Sequence, residues 1–477
     1  MERLFTPDDP RPVHFMGVAG AGMSALALVA RRCGSAVTGC DKDADGGGRG
    51  AAQDVRQAGG TVLAGHDPSH VTGARAVVVS SAVPPDHPEL AQARALGIPV
   101  VRRAEALAAA VSVGSVVAVA GTHGKTTTTV MTTEALAAAG LNPTGIAGGR
   151  VTSWGGNARL GGDDLFVVEA DEYDKSFLAL TPQLAVINNV EADHLECYGT
   201  IEALEQAFAT FARPADRVIV GGDDSAAVKV ARMTGRPTWT VGLAETCDVR
   251  IEVVERAAGR SVAMVSFPGR EAKSAEVRLR VPGLHNLRNA SAALAVCAEL
   301  GADLDPVLGA LWDFRGVGRR FEVVGEVGGV VVVDDYAHHE AEIAATLEGA
   351  RQAYPGRRLI AVFQPHLFSR TAEHGPAMGR ALAKADSVVV TEVYASRERP
   401  LPGVSGRVVA DAAELAGAEV HWVPERSAVP AALAGYLRGG DVVVTMGAGD
   451  ITVTGRELVG LLARRGAGER GGRGRAE

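Results

Sequence analysis

Lys125 stands between Gly124 and Thr126, where the apolar run VVAVA (116–120) gives way to a helix-like pattern. A lysine at that junction can reach the β- and γ-phosphates of a nucleotide, and the Thr126 hydroxyl can ligate Mg²⁺. Gly121 and Gly124 free the backbone to wrap phosphate oxygens. The strict pattern G-x-x-x-x-G-K-[ST] would place glycine at 119, but Val119 belongs to the feeding strand and the loop is shorter. His123, inside the loop, receives no role from its type alone.

Carboxylates follow the next strand in LFVVEADEYDKSF (165–177), where Glu169, Asp171, Glu172 and Asp174 crowd together. A strand ending in carboxylates beside a phosphate loop is a common Mg²⁺ holder. Glu169 leaves the strand first and is the preferred ligand; a solvated acidic loop is the plainer alternative. In NNVEADHLECYG (188–199), His194 follows Asp193 at another strand end. It is either a structural histidine or a metal ligand, and two metals would suit phosphoryl transfer. In PGLHNLRNASAALA (282–295), His285 and Asn289 stack at i, i+4 on the first turns of a helix, as caps or as ligand groups. Arg319 and Arg320 in FRGVGRRFE either clamp a phosphate or solvate a linker. Asp334, Asp335, Tyr336, His338, His366 and Arg370 all fall at strand ends, where doubly wound domains place ligand groups.

One glycine-rich stretch lies earlier. FMGVAGAGMSALA (15–27) sets Gly17, Gly20 and Gly22 between a strand and a helix, and Asp41 ends the next strand. Glycines there admit a diphosphate to a helix N-terminus, and the acidic residue stands where a ribose ligand would. The spacing departs from G-x-G-x-x-G. A plain βα turn and a nicotinamide dehydrogenase site both stay open on this motif alone.

These residues need a scaffold, and the chain supplies one. Its 477 residues exceed one hydrophobic core, and 47% hydrophobic with 22% charged residues is an ordinary globular composition. The net charge of −8 offers no basic surplus for nucleic acid. The five cysteines show no C-x-x-C or zinc spacing, which suits reduced thiols in a cytoplasmic setting. The N-terminus is acidic and proline-bearing rather than a signal peptide, and no apolar run reaches the roughly 18 residues of a membrane span. β-rich runs alternate with alanine-rich helical stretches, which implies an α/β protein with parallel sheets. Strands are expected at 13–17, 36–40, 76–80 and 98–101, then at VVAVA, LFVVEA, LAVINNV, DRVIVG and TWTVG. A small antiparallel meander is expected over 248–281, and a third set of strands from about 330. Boundaries near 112 and 322 give domains 1–112, 113–321 and 322–465. DADGGGRG (43–50) reads as a flexible loop. The Gly- and Arg-rich 466–477 reads as a disordered tail.

Taken in order, the motifs resemble the Mur ligase family over nearly the whole chain. That family reads a glycine-rich uridine-nucleotide loop, G-T-x-G-K-T-T, E-A-D-E, A-D-H, H-N-x-x-N, R-R-F and D-D-Y-x-H-H. Within it, HFMGVAGAGMSALA, GTHGKTTTT, VEADEYDKSFL, DDYAHH and FQPHLFSRT are closest to the member that joins L-alanine to UDP-N-acetylmuramate. The resemblance implies three domains: a Rossmann-like UDP-sugar domain, a central P-loop ATPase-like domain with a small antiparallel sheet, and a Rossmann-like C-terminal domain. It implies ATP, with Mg²⁺ or Mn²⁺ as metal, and an acyl phosphate on the lactyl carboxylate that an amine captures.

Site residues follow from the same resemblance. ATP falls to Gly121, Thr122, His123, Gly124, Lys125, Thr126, Thr127, His285, Asn289, Arg320 and Asp335, and the metal to Thr126, Glu169 and His194. The UDP-sugar falls to Gly17, Ala19, Gly20, Gly22, Met23, Ser24, Asp41, Ser80 and Ser81. The amino acid falls to Tyr336, His338, His366 and Arg370. Lys125, Glu169, His194, Arg320, His338 and Arg370 form the implied catalytic set. Residues on three domains imply a closure that assembles them and excludes water, which would hydrolyse the acyl phosphate.

Two departures stand out. The family usually reads D-D-Y-x-H-H-P-T-E, whereas this chain has His338-His339-Glu340-Ala341-Glu342. Lost proline removes a rigid φ at a helix start, although Glu340 still favours that N-terminus by charge. The arginine that often follows FQPH is Leu367, which leaves Arg370 as the basic contact. Competing readings are a ligase that attaches a ready-made murein tripeptide, a D-glutamate-adding ligase and a UDP-sugar sensor without catalysis. The intact Lys125, Glu169 and His194 oppose the last of these.

Overall fold

A computed structural model describes residues 3–44, 50–257, 260–268, 274–396 and 398–473, with 466–473 as backbone alone. Most of the expected flexible loop (45–49) and residues 474–477 of the expected tail lie outside these. The secondary structure is α/β throughout, and the strands form three sheets.

The first sheet contains β1 (Val13–Met16), β2 (Val37–Asp41), β3 (Thr61–Ala64), β4 (Ala76–Val79) and β5 (Val100–Arg102) in the order β3-β2-β1-β4-β5, all parallel. β1 and β4 are buried along their length, as strands covered on both faces must be. The strand order reverses at β1, so the crevice at its carboxyl end is the expected ligand position of such a sheet. The expected strand at 98–101 begins at Val100, and β3 was not anticipated. TVLA is short and half-exposed at the sheet edge, so it lacks a buried apolar run.

The second sheet has ten strands: β6 (Ser115–Ala120), β7 (Thr144–Val151), β8 (Gly156–Arg159), β9 (Leu165–Glu169), β10 (Leu184–Ile187), β11 (Arg217–Gly221), β12 (Thr238–Gly242), β13 (Val249–Ala257), β14 (Arg260–Ser266) and β15 (Ser274–Leu279). Their order is β15-β14-β13-β12-β11-β10-β6-β9-β7-β8. β6 lies between β10 and β9, parallel to both, so the strand that delivers the Lys125 loop has a neighbour on each side. The β7–β8 hairpin was also unforeseen, because TGIAGGRV reads as a glycine-rich loop. Its glycines serve close approach: a Cβ on Gly148 would stand 2.7 Å from Glu169 Oε1.

The third sheet contains β16 (Glu322–Val327), β17 (Val330–Asp335), β18 (Leu359–Phe363), β19 (Ser387–Val390), β20 (Val420–Trp422) and β21 (Val442–Met446), ordered β16-β17-β21-β18-β19-β20. All pairs are parallel except β16–β17. β16 escapes sequence reading for the same reason as β3, since it is an edge strand with no fully buried residue.

By compactness the chain forms two units. One takes in 1–253, 263–278 and 287–314; the other takes in 254–262, 279–286 and 315–477. The final helix runs Thr452–Arg473 and so carries helical backbone into the segment expected to be unstructured. Extending an established helix costs far less than nucleating one, and here buried Leu458 anchors the earlier turns. No described helix is long and apolar enough to cross a membrane.

Candidate active site

In the first unit, β6 leaves the sheet at Gly121 (φ +133°), and Gly124 (φ +79°) caps the helix Lys125–Ala138. A Cβ on Gly124 would meet Asn289 Oδ1 at 2.6 Å and Asn188 Nδ2 at 3.0 Å, so glycine is required by both backbone and space. The loop is held from below. Asn189 accepts from Thr122 N through its carbonyl (3.1 Å) and from His123 N through its side chain (2.7 Å), while Asn188 Nδ2 donates to the His123 carbonyl (3.2 Å). His123 also pairs with Glu191 at 3.3 Å. Thr127 is buried in the helix.

Lys125 Nζ donates to the carbonyls of Gly121 (2.8 Å) and Thr122 (3.2 Å) and lies 2.8 Å from the Glu172 carboxylate. Burial pulls the ammonium down, but Glu172, Asp171 and Glu169 outweigh it and hold Lys125 above its ordinary value. Burial pushes Glu172 up to about 7 against the pull of Lys125. The buried Tyr198 hydroxyl donates to the Glu172 carbonyl at 2.5 Å. Glu172 thus emerges from the acidic cluster as the partner of Lys125, a role that spacing alone did not distinguish.

Thr126 Oγ1 donates to Glu169 Oε1 at 3.0 Å, and Gly148 N donates to Glu169 Oε2 at 2.6 Å. Two of the three expected metal ligands are therefore in direct contact. His194 (φ +55°) sits edge-on to Tyr173, with ring centroids 5.1 Å apart, and 3.6 Å from Asp193. Asn289 reaches the phosphate loop at Gly124, while the His285 ring lies back over Gly283.

The glycine-rich loop after β1 is tied to β2. Gly17 N and Val18 N donate to the Cys40 carbonyl, and Ala19 N donates to Asp41 Oδ2 (2.9 Å). Asp41 is buried, and its other oxygen accepts from Asp43 N (2.9 Å), which shapes the turn after β2. Met23 and Ser24 turn into the core, and Ser24 Oγ donates to the Ala21 carbonyl. Gly20 and Gly22 stay at the loop–helix junction, where a Cβ on Gly22 would meet Arg103 Nη1 at 2.9 Å. Ser80 follows β4. Ser81 lines a cavity of about 180 Å³ with Arg102, Arg103, Lys175 and Ser176. The two arginines escaped sequence reading because a basic pair before a helix carries no specific spacing.

In the second unit, Arg319 (φ +61°) and Phe321 (φ +51°) flank Arg320 in a sharp turn before β16. Both guanidinium groups lie over the Tyr336 ring, at 4.8 and 5.0 Å from its centroid. Arg319 Nη2 donates to the Gly447 carbonyl at 2.7 Å, whereas Arg320 reaches Glu342 at 3.7 Å with a third of its side chain exposed. Arg319 braces loops, whereas Arg320 keeps the more exposed side chain. Arg320→Ala is expected to leave the melting temperature within a few degrees, while Arg319→Ala lowers it; paired thermal melts check this split.

Asp335 is buried, and its carboxylate accepts from Phe321 N (2.7 Å), Ala337 N (2.7 Å) and Thr346 Oγ1 (3.2 Å). It holds the Arg320 turn. Burial raises its pKa from 3.8 to about 6, with Arg320 opposing. The folded state therefore favours the protonated acid. The stability this group contributes is complete below pH 3.8 and is lost as pH rises through about 6. The loss amounts to roughly 3 kcal/mol. Denaturant titrations between pH 4 and 7 should show that slope, flattened in Asp335→Asn.

His338 Nδ1 lies 3.0 Å from the Tyr336 carbonyl and 3.1 Å from Glu342, and its ring is 6.4 Å from His366. His366 stacks on Tyr394 (5.8 Å). Leu367 holds φ +67°, ψ 136° at the cap of the helix Phe368–Leu382, which carries Arg370. Leucine in that conformation stores strain of order 1–3 kcal/mol, a mark of functional loops. The helix after His339 begins at Glu340, with Glu340 and Glu342 in its first turn, so acidic charge stands where proline was expected. Glu342 joins His338 to Arg320 and is likewise absent from the expected set.

Three family models match this chain in sequence: the Mur ligase family catalytic domain over 12–113, the Mur ligase middle domain over 119–297 and the Mur ligase glutamate ligase domain over 319–449. The chain belongs to the Mur ligase family. The UDP-N-acetylmuramate–L-alanine ligase of Cutibacterium acnes is 43% identical over 96% of this Mur ligase and 98% of the relative. That of Kineococcus radiotolerans is 44% identical over 95% and 96%. Among solved structures, the UDP-N-acetylmuramate–alanine ligase of Thermotoga maritima superposes with a TM-score of 0.81 at 30% identity, covering 95% of this chain and 99% of that one. A murein peptide ligase from Psychrobacter arcticus follows at 0.72 and 26%, covering 95% and 98%.

Proposed function

We propose that this Mur ligase joins L-alanine to the lactyl carboxylate of UDP-N-acetylmuramate with hydrolysis of ATP to ADP and phosphate. The observation that carries the reading is a phosphate loop with a half-buried, paired lysine in a chain 43% identical over 96% of its length to a ligase of that name. A carboxylate is a poor acyl donor because oxide is a poor leaving group. Transfer of the γ-phosphoryl group to a carboxylate oxygen gives an acyl phosphate and ADP. The alanine amine then attacks the carbonyl carbon, phosphate departs with the electron pair of the broken C–O bond, and the amine loses its proton.

Phosphoryl transfer brings anions together, and Lys125 supplies a fixed cation against their repulsion. Thr126 and Glu169 offer a hydroxyl and a carboxylate, hard oxygen donors that fit Mg²⁺; the His194 nitrogen widens the set toward Mn²⁺. A divalent ion held there would neutralise charge on the phosphate oxygens. Arg320 is assigned to the transferred phosphoryl group, and Tyr336, His338, His366 and Arg370 to the amino acid. The glycine-rich loop, with Arg103 against Gly22, is assigned to the UDP-sugar. No described helix spans a membrane, which suits water-soluble substrates in the cytoplasm.

The test supplies ATP, Mg²⁺ and UDP-N-acetylmuramate with single amino acids or the murein tripeptide, following phosphate release and product mass. Release dependent on L-alanine is expected. Folded protein that responds to the tripeptide and ignores L-alanine would overturn the assignment. Arg320→Ala should lower turnover about 10²-fold in this assay.

A further inference from the structure

A second constellation of metal-ligating side chains lies in the first sheet, apart from the phosphate loop. His14 on β1 and Cys40 on β2 belong to the sheet face opposite the helix Ala21–Arg32, beside Met16, Val71, Val77 and Leu90. His66 follows β3, and Glu89 is the second residue of the helix Pro88–Ala95. His14, Cys40 and Glu89 are fully buried. The donor atoms converge. His14 Nε2 is 3.3 Å from Cys40 Sγ, which is 3.2 and 3.3 Å from the two Glu89 oxygens and 3.3 Å from His66 Nδ1. His66 Nδ1 is 3.3 Å from Glu89 Oε2.

We propose that His14, Cys40, His66 and Glu89 form a four-coordinate site for a divalent transition metal, Zn²⁺ foremost. Donors at zinc's usual bond lengths, set on a tetrahedron, lie about 3.4–3.6 Å apart. The four separations given above, His14–Cys40, Cys40–Glu89, Cys40–His66 and His66–Glu89, nearly match. They are also longer than the roughly 2.7–2.9 Å of a charge-assisted imidazole–carboxylate bond. Electrostatics points the same way. Among the described residues, the ionic partners of the buried Glu89 are the imidazoles of His66 and His70, with no fixed cation. A divalent ion held by one thiolate and one carboxylate makes the site neutral, which removes the cost of an isolated buried charge. The mixture of thiolate, imidazole and carboxylate suits zinc better than Mg²⁺ or Ca²⁺.

The surroundings resemble the outer layer of a metal centre. His14 Nδ1 is held by Thr38 Oγ1 at 2.9 Å, which turns Nε2 toward Cys40. Glu89 Oε1 accepts from Asp67 N at 3.0 Å and meets His70 Nδ1 at 3.2 Å, which fixes the carboxylate plane. His87 stacks edge-on against His66 at 5.1 Å. The His66 side chain is 31% exposed and gives an ion access. The site stands directly behind the glycine-rich loop, whose Gly17 and Val18 amides bind the Cys40 carbonyl.

The test uses the full chain purified with Zn²⁺ and assayed for bound metal in excess Mg²⁺, which occupies the oxygen donors of the phosphate loop. About one Zn²⁺ per chain is expected. Co²⁺ added to chelator-treated protein should give the thiolate-to-cobalt charge-transfer absorbance of a four-coordinate centre, absent in Cys40→Ser. His66→Gln, at a part-exposed position where folding is not at risk, should weaken Zn²⁺ at least tenfold, and His70→Gln about 10–100-fold. Folded wild-type protein that retains no Zn²⁺, a cobalt spectrum without a thiolate band, or a band unchanged in Cys40→Ser would each overturn the proposal.

Discussion

Lys125→Ala should lower alanine-dependent phosphate release by about 10²-fold or more, with the fold intact. The ammonium is buried and held at three points, by the Gly121 and Thr122 carbonyls and by Glu172. It is therefore a preorganised cation at the mouth of a loop whose glycines admit phosphate oxygens. Such a group stabilises charge without reorganising at the moment of reaction, and its loss costs several kcal/mol of barrier. Alanine at 125 also leaves Glu172 without its cation, but that carboxyl already sits near 7 and can take a proton instead. Turnover should therefore fall further than stability. Steady-state phosphate release beside a thermal melt separates the two, and turnover within a few-fold of wild type would remove Lys125 from the mechanism.

Glu172→Ala reverses that balance. Removing the carboxylate strands a lysine that cannot easily shed its charge, because two carbonyls still hold its protons. Breaking a buried pair from one side typically costs about 3–5 kcal/mol. The side chain is 2% exposed, so water does not reach the gap without local opening. Denaturant unfolding should show a loss in that range. The double variant Lys125→Met, Glu172→Leu should recover most of it, since an apolar pair of similar volume avoids desolvating two charges. A single variant within about 1 kcal/mol of wild type would show that the pair is solvated and that Glu172 is dispensable to the fold.

These expectations rest on residues that differ in how visible they were. GTHGKTTTT, EADEYDKSF and DDYAHH are local signals: glycine at a turn, a polar group at a strand end, an apolar run before it. Each is set by chemistry within a few residues, so the loop, the Thr126–Glu169 contact and the strands feeding them were legible in order. Buried parallel strands such as VVVVDD were legible for the same reason, being apolar on both faces. Edge strands β3 and β16 and the glycine-bearing β7 were not, because their pairing is decided by neighbours far along the chain.

Carboxylates were the least legible groups. Asp171, Glu172 and Asp174 are equivalent in composition, and only the packed chain delivers Glu172 to Lys125. Asp41 reads as a ribose ligand from position and Asp335 as an ATP residue from the resemblance, and in the fold both accept from backbone amides that shape the adjoining loops. An acidic side chain takes whichever donors arrive, and beside the local amides of Asp43 and Ala337 these include Ala19 N and Phe321 N from other segments. The same holds for His14, Cys40, His66 and Glu89, scattered in sequence with no metal spacing and gathered by the parallel order of the first sheet. The sequence by itself determined the family, the order of the sheets and the phosphate chemistry, because those depend on local patterns. Tertiary structure alone decided which acid faces which base, because that depends on which strands become neighbours.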